Sequence, residues 1–462
     1  MAKIISLPHG ALDYQLFSDA YYGINGFANG AYLEKHERES DDKYATRQRI
    51  AYYANYVKTT VDSHVNPVFK KNAERDLKTT SALFDDFLKN VDGNNTPIAN
   101  FMKKAALMSK IHGFVLIVVD NHNEAYQTRA EEKAAGAMPY CYIVLPSSII
   151  SYELEKTGQL KEITFKEIDP ITNQTYEKTW TKTEWRTNNS EAGSAASGEH
   201  NLGFVPIVIL ASRLTTDVFP PSEFNQICKA NKNLYNKCSW KDEILKNQTF
   251  PVLTYPKVGQ TDLTIGTDNA LTFDGEVSKF APSFIAPPSD PATLIMSDIK
   301  DIIQEIYRQA ALSHVTGVQE QSSGVSKEWD YETTNTVLAD FAGNLEMAEM
   351  QISGLFQLWT KETFEYNVSY PRNFGIADIA AELDNATKAL ELQFGTTFKI
   401  EVCRKIIAIW FPKLTEEEIT KIISEVEAKQ RELDKAMADN GDYSDNDNSD
   451  SSGDNTDGNS GN

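Results

Sequence analysis

The chain has 462 residues, with 45 Lys and Arg against 66 Asp and Glu, for a net charge of −21. Such a chain repels a polyanion on average, whereas a tight, sequence-specific DNA binder spreads a basic footprint, because phosphate neutralisation supplies most of its affinity. Hydrophobic residues make up 41% and aromatics 10%, as expected of a globular protein long enough for two or three domains.

The longest apolar runs, 114–119 and 205–211, fall far short of the roughly 20 residues that span a bilayer. The first eight residues lack the apolar core of a signal peptide. The four cysteines, Cys141, Cys228, Cys238 and Cys403, form no CxxC pair and no zinc spacing; they read as reduced thiols.

The first 41 residues are aromatic-rich and punctuated by Gly23, Gly26 and Gly30. A helix is expected from Asp42, because Ile50, Tyr53, Val57 and Val61 recur at spacings of three and four, and Pro67 closes it. A second carries Leu83, Phe84, Phe87, Leu88 and Val91. A third opens with Thr96 at the cap and Pro97 in the first turn and runs to about Lys110. The period then changes. Segments 114–120, 140–145, 149–154, 160–168, 176–187 and 205–210 read as strands, and 188–201, rich in Gly, Ser, Ala and Asn, as a mobile hairpin loop. Residues 1–215 are therefore α+β, three helices followed by a largely antiparallel sheet.

Helix resumes over 222–246, about 37 Å at about 1.5 Å per residue. Asn225, Asn231, Asn233 and Asn236 dilute its apolar positions, Phe224, Ile227, Cys228, Leu234, Tyr235, Ile244 and Leu245. This makes it a poor core helix for a monomer and a better one against a neighbouring copy. Segment 250–286 reads as a small β-rich insert with turns at Gly259, Gly266 and Gly275. Asp290 and Pro291 then open a helix with an apolar face of Ile295, Ile299, Ile302, Ile303, Ile306, Tyr307 and Ala310, ending near Ser313. A polar loop, 314–327, leads to a long helix with a heptad-like seam of Val337, Phe341, Leu345, Ala348, Ile352, Leu355 and Trp359. Helical signals return at 376–394 and 415–437; 398–411 is strand or helix. Segment 439–462 holds seven Asp and no Lys or Arg, and reads as disordered because it has too little apolar surface to offset its ordering entropy.

Motifs that carry chemistry are scarce. The chain contains no GxxxxGK[ST], GxGxxG after a strand, HExxH or GxSxG. Asp120, Asn121, His122 and Glu124 follow a strand, where such a group is either a divalent-cation or acid–base site or a polar turn. His112 and His122 flank the same strand. Glu416, Glu417 and Glu418 complement the dipole of a helix start. Trp180 and Trp185, with Lys178 and Lys182, are commoner as core aromatics than as base-stacking residues.

One arrangement stands out: helix, β insert, helix, polar loop, long helix. Two long helices flanking a small β module suggest a stalk with a cap, a shape natural in a closed ring where each stalk packs on the next. On these residues the chain resembles the tailed-bacteriophage portal proteins of the SPP1 type. The similarity extends over roughly 21–411 and includes Tyr21-Tyr22-Gly23, Asn55-Tyr56-Val57, Asn66-Pro67-Val68-Phe69, His112-Gly113-Phe114-Val115, the 201–208 segment with Gly203 ahead of Pro206, the helix at 222–249 and Ser322-Ser323-Gly324-Val325-Ser326.

The resemblance implies a portal fold: a wing at 1–215, a first stem helix at 216–248, a clip at 249–289 and a second stem helix at 290–313. A tunnel loop and the start of the long helix would occupy 314–342, and the wing remainder and crown helices 343–437. The acidic tail at 438–462 is no family motif. The resemblance further implies a dodecameric ring at one capsid vertex of the virion, assembled in the host cytoplasm. Its partners would be the terminase large subunit, a head-completion or adaptor protein, the major capsid and scaffolding proteins, and double-stranded DNA passing without sequence preference.

Neither catalysis nor a cofactor nor a metal is expected. The residues singled out are Ser322, Ser323, Gly324, Val325, Ser326 and Lys327 for the channel. For the stem they are Asn231, Tyr235, Ile299, Ile303 and Ile306, and for the clip Tyr255, Phe273 and Phe280. Lys327 is the candidate basic position on the bore; a solvated helix-start lysine is the plainer alternative. The competing functional readings are a metal-dependent hydrolase built on Asp120, His122 and Glu124, and a scaffold protein without a channel.

Overall fold

The structure, a computed structural model, describes residues 12–78, 81–121, 138–169, 172–189, 194–249, 252–256, 270–273, 283–285, 290–312, 324–374, 386–390, 395–411, 414 and 416–441. The chain forms two units, Met1–Phe374 and Gly375–Asn462, so it divides inside the segment expected as 343–437. Helix and sheet are mixed, as expected. Among the described residues no helix is long and apolar enough to cross a membrane.

The first unit opens with a helix the periodicity did not reveal, α1 (Tyr14–Tyr22). Asp13 caps it, accepting from the Leu16 amide at 2.9 Å. Its buried Asp19 accepts from Asn25 Nδ2 and the Tyr32 hydroxyl, both at 2.7 Å, which pins the glycine-rich loop that follows. The single helix expected from Asp42 is two, α2 (Asp41–Ile50) and α3 (Tyr56–Val65). Asn55 caps the second, and Tyr53 in the extended link stacks on Phe27 with ring centroids 4.0 Å apart. The apolar spacing happens to run through the break, so periodicity alone cannot see it.

Next come β1 (Glu74–Leu77), α4 (Ala82–Lys89) and α5 (Ile98–His112), the last beginning with Pro97 rather than Thr96 in the cap position. Gly113 ends α5 at φ +94°. A Cβ there would lie 2.5 Å from the Ser222 nitrogen, so a side chain at this crossing is excluded by both conformation and space.

Strand β2 (Phe114–Asp120) is buried throughout. It is the centre of an antiparallel three-stranded sheet, between β3 (Tyr140–Val144) and β9 (Ile207–Ala211). Alternate side chains serve two cores: Val115, Ile117 and Val119 face the helices, while Phe114, Leu116 and Val118 join Tyr152, Ile163, Phe165 and Trp180 of the second sheet. Burial on both faces is why this strand reads as an unbroken apolar run.

The second sheet is a meander of β4 (Ile149–Leu154), β5 (Leu160–Ile168), β6 (Thr175–Thr181), β7 (Glu184–Asn189) and β8 (Ser194–Glu199). Two expectations are corrected here. Segment 176–187 falls in a hairpin of two strands, and within the loop expected at 188–201 residues 188–189 end β7 and 194–199 are β8, paired with β7. Strand β8 carries Ser, Ala and Gly with no apolar alternation. Cross-strand pairing defines it, with Gly198 lying directly against Trp185.

Next, α6 (Asn225–Thr249) and α7 (Asp290–Gln309) form a helical hairpin, with a three-stranded sheet between them in the chain. In that sheet β10 (Val252–Pro256) lies between β11 (Ala270–Phe273), parallel to it, and β12 (Ser283–Ile285), antiparallel. The first helix begins later than the expected 216 or 222, and the second ends earlier than 313. Helix α8 (Gly324–Thr360) begins before the expected Lys327. Its seam of Phe341, Leu345, Ala348, Ile352 and Leu355 is buried against the chain's own sheet and helices, and Trp359 Nε1 donates to the Val119 carbonyl at 2.8 Å. Strand β13 (Tyr366–Ser369) closes the unit by pairing with β1.

In the second unit, α9 (Thr396–Trp410) settles 398–411 as helix and packs with α10 (Glu416–Gly441), which bury Ile407 and Ile423. Of the helical segment expected at 376–394, residues 386–390 are described and helical. The expected disordered tail begins within α10, at 438–441, and otherwise lies outside the described residues.

Candidate functional site

The base of the α6–α7 hairpin is a buried charged junction. Lys110, 1% exposed, reaches from α5 to Glu223 Oε1 at 2.6 Å and the Ser212 carbonyl at 3.3 Å. Its ammonium also lies 4.3 Å from the centroid of the Phe341 ring on α8. Burial pushes the Lys110 pKa down, and the Glu223 carboxylate opposes that shift. Beside them His64 of α3 is buried with Nε2 2.7 Å from the Ala310 carbonyl, just past α7. A carbonyl only accepts, so Nε2 carries the proton. Burial and the Lys110 charge lower the His64 pKa to about 4, and the imidazole is neutral at pH 7 with Nδ1 unpartnered. The chain's entry into α6, its exit from α7 and three other helices thus meet at one site.

The asparagines of α6 correct an expectation. Two of the four, Asn231 and Asn236, are buried and hold the inner half of the helix in the core, whereas Asn225 is half-buried and Asn233 exposed. Asn231, fully buried, accepts from the Tyr56 and Val57 amides at 2.9 and 3.2 Å and the Tyr53 hydroxyl at 3.2 Å, and donates to the Ala54 carbonyl at 2.9 Å. It holds the extended link between α2 and α3 in place. Asn236 accepts from the Glu34 amide at 2.7 Å and donates to the Tyr32 carbonyl at 3.2 Å. Tyr235 is buried, donates to the Phe27 carbonyl at 3.1 Å and meets Phe27 and Tyr53 edge-on. Of the expected stem residues, then, Asn231, Tyr235 and Ile306 face this chain's own core, whereas Ile299 and Ile303 are half-buried at its margin.

The outer half differs. From Trp240 to Thr249 no described residue of α6 is buried. Leu245 is 42% exposed, and on α7 Leu294 and Met296 are 71% and 47% exposed. Lys237 pairs with Asp298 across the hairpin. On β12, Phe284 and Ile285 are exposed. Tyr255 and Phe273 lie on β10 and β11, in register with Thr272 and Pro256; Phe280 lies outside the described residues. So do Ser322 and Ser323, while Gly324, Val325, Ser326 and Lys327 form the first turn of α8.

Asp120 is engaged in packing. It pairs with Lys178 at 2.8 Å, both side chains nearly buried, and accepts from the Asn121 amide at 2.8 Å and the Tyr140 hydroxyl at 3.3 Å. Lys178 also donates to the Tyr142 hydroxyl at 3.3 Å. The pair is a strut between the two sheets. His122 and Glu124 lie outside the described residues, and among the described residues no group of three His, Cys, Asp or Glu is placed to hold a metal. His112 is buried, its pKa lowered to about 4 by burial, with Nε2 3.4 Å from Ser18 Oγ. Trp180 is fully buried and Trp185 packs on the same cluster, the core reading of those aromatics.

Sequence reasoning missed Lys110, Glu223 and His64. A signal existed for the first: Lys110 follows Met102 and Ala106 at steps of four, on the buried face of α5.

No protein-family model matches the sequence, and no curated protein does. Among solved structures, the chain is similar to one described as the neck of a native GTA particle computed with C12 symmetry. That match has a TM-score of 0.45 and 8% identity over 75% of this chain and 89% of that one. The neck of an empty GTA particle computed with C6 symmetry matches with TM-score 0.43 and 8% identity, over 82% and 99%. A virion of a native gene transfer agent particle matches with TM-score 0.44 and 9% identity, over 85% and 99%.

Proposed function

We propose that this protein is a portal, the head-to-tail connector of a tailed phage or phage-like particle. The observation that carries the reading is the α6–α7 hairpin, anchored in its own chain at the base, with Leu245, Leu294 and Met296 exposed and no described α6 residue buried in its outer half, and joined through a small sheet. A stalk of this kind finishes its burial against a second copy, and identical copies placed head to tail close into a ring. In this reading 1–215 and the seam of α8 are the wing, α6 and α7 the stem, β10–β12 the clip that meets terminase or an adaptor, and 314–342 the tunnel region. The ring is a dodecamer at one capsid vertex and passes double-stranded DNA without catalysis.

The charge fits such a conduit, since each Lys or Arg paired with phosphate adds affinity and therefore drag. Electron microscopy of the purified full-length protein tests the reading: rings with a central hole support it, and compact monomers at high concentration sink it. Lys327→Glu should leave rings intact and alter DNA packaging; unchanged packaging removes Lys327 from the bore.

A further inference from the structure

One cleft of the first unit has the opposite electrostatic character to the chain. Between α3 and α5 a depression of about 470 Å³ is lined by Tyr21, Lys58, Asp62, Asn66, Asn100, Lys103 and Lys104, among others. Its one carboxylate is satisfied internally: Asp62 pairs with Lys58 at 2.9 Å and accepts from the Tyr21 hydroxyl at 2.7 Å. Lys58 is held further by the Tyr21 ring, 4.7 Å from its ammonium. Lys103 and Lys104 are exposed and form no ion pair among the described residues. They are consecutive on α5, about 100° apart around the helix axis, so they flank the depression rather than stack. Two uncompensated cations therefore face one cleft whose remaining polar groups include two side-chain amides, Asn66 and Asn100.

The geometry points to this cleft as a contact for the phosphodiester backbone of double-stranded DNA, an inference that takes its partner from the portal reading. Lysines and amide side chains are the groups that contact phosphate without reading sequence. Two lysines give a weak contact in each copy, and a ring repeats it, so DNA is held near the protein without being gripped at one point. A net charge of −21 disfavours DNA contact averaged over the chain, so local neutralisation at Asp62 matters.

The test uses the intact protein and fluorescent duplexes of two unrelated sequences, with affinity measured between about 50 and 200 mM salt. Wild type should bind both alike. Lys103→Gln/Lys104→Gln should weaken binding severalfold at the lowest salt and reduce the steepness of log affinity against log salt by about 1.8 per protein copy in contact with DNA. Lys104→Glu should weaken it further, and Lys300→Gln on α7 should change nothing. An unchanged salt slope in the double variant overturns the inference, as does equal loss with Lys300→Gln. So does displacement of the duplex by an acidic peptide of equal charge, or no binding by wild type. Native mass measurement of the same samples reads ring formation separately, so failure of the portal reading is distinguishable from failure of this contact.

Discussion

The two halves of the α6–α7 hairpin both carry apolar side chains and have opposite fates. The inner half buries Leu234, Tyr235 and Ile306 and satisfies Asn231 and Asn236 with backbone partners. The outer half leaves Leu245, Leu294 and Met296 bare. Apolar pattern alone does not decide what a helix is for. What decides is whether the same chain supplies a wall, and here it does so only at the base.

Four experiments sharpen that contrast. Asn231→Ala should have the largest effect. It leaves the buried Val57 amide unmet and takes one of two partners from the Tyr56 amide, the Tyr53 hydroxyl and the Ala54 carbonyl; an unmet group costs about 1–3 kcal/mol, and the three weakened bonds and the lost side-chain volume add to it. A loss of about 3–4 kcal/mol is expected in urea unfolding, and a loss below 1 kcal/mol would mean the α2–α3 link is held otherwise. Lys110→Met strips Glu223 of its buried counter-ion and should cost about 3 kcal/mol. Adding Glu223→Gln should recover part of that, and strict additivity in the double-mutant cycle would deny the coupling.

A third effect depends on pH. His64 and His112 titrate near 4 in the fold and near 6.5 when unfolded. The unfolded state therefore takes up protons first as pH falls. Stability is full above pH 6.5 and declines toward pH 4, by about 2 kcal/mol per histidine between pH 7 and 5. His64→Gln, which keeps a donor for the Ala310 carbonyl, should remove about half of this slope, and an unaltered slope would contradict the assignment.

Smallest is the outer half. Leu245→Ser with Leu294→Ser should change the unfolding free energy of the isolated chain by under about 0.5 kcal/mol, since exposed positions contribute little, while weakening self-association in sedimentation. Equal loss of stability in both halves would erase the distinction.

Much of this organisation was legible from residues. The helices-then-strands order of the first half, though not the number of helices, the hairpin with its β insert and the seam of α8 follow from periodicity and breakers. The misses share a cause. The break between α2 and α3 depends on Tyr53 finding Phe27 and Asn55 capping. Strand β8 exists because β7 pairs with it. The junction at Lys110 draws on Ser212, Glu223, Ala310 and Phe341, residues more than a hundred positions from Lys110 along the chain. Asp120 read equally as ligand or turn until Lys178 was placed beside it.

By itself, then, the sequence determined the elements whose cause is local: amphipathic helices, the two-sided β2, the acidic segment and the excess of 21 negative charges. Tertiary structure alone decided which polar residues are buried and paired. An asparagine or lysine has the same hydropathy in water and in a core, and only a partner brought from elsewhere in the chain makes its burial favourable.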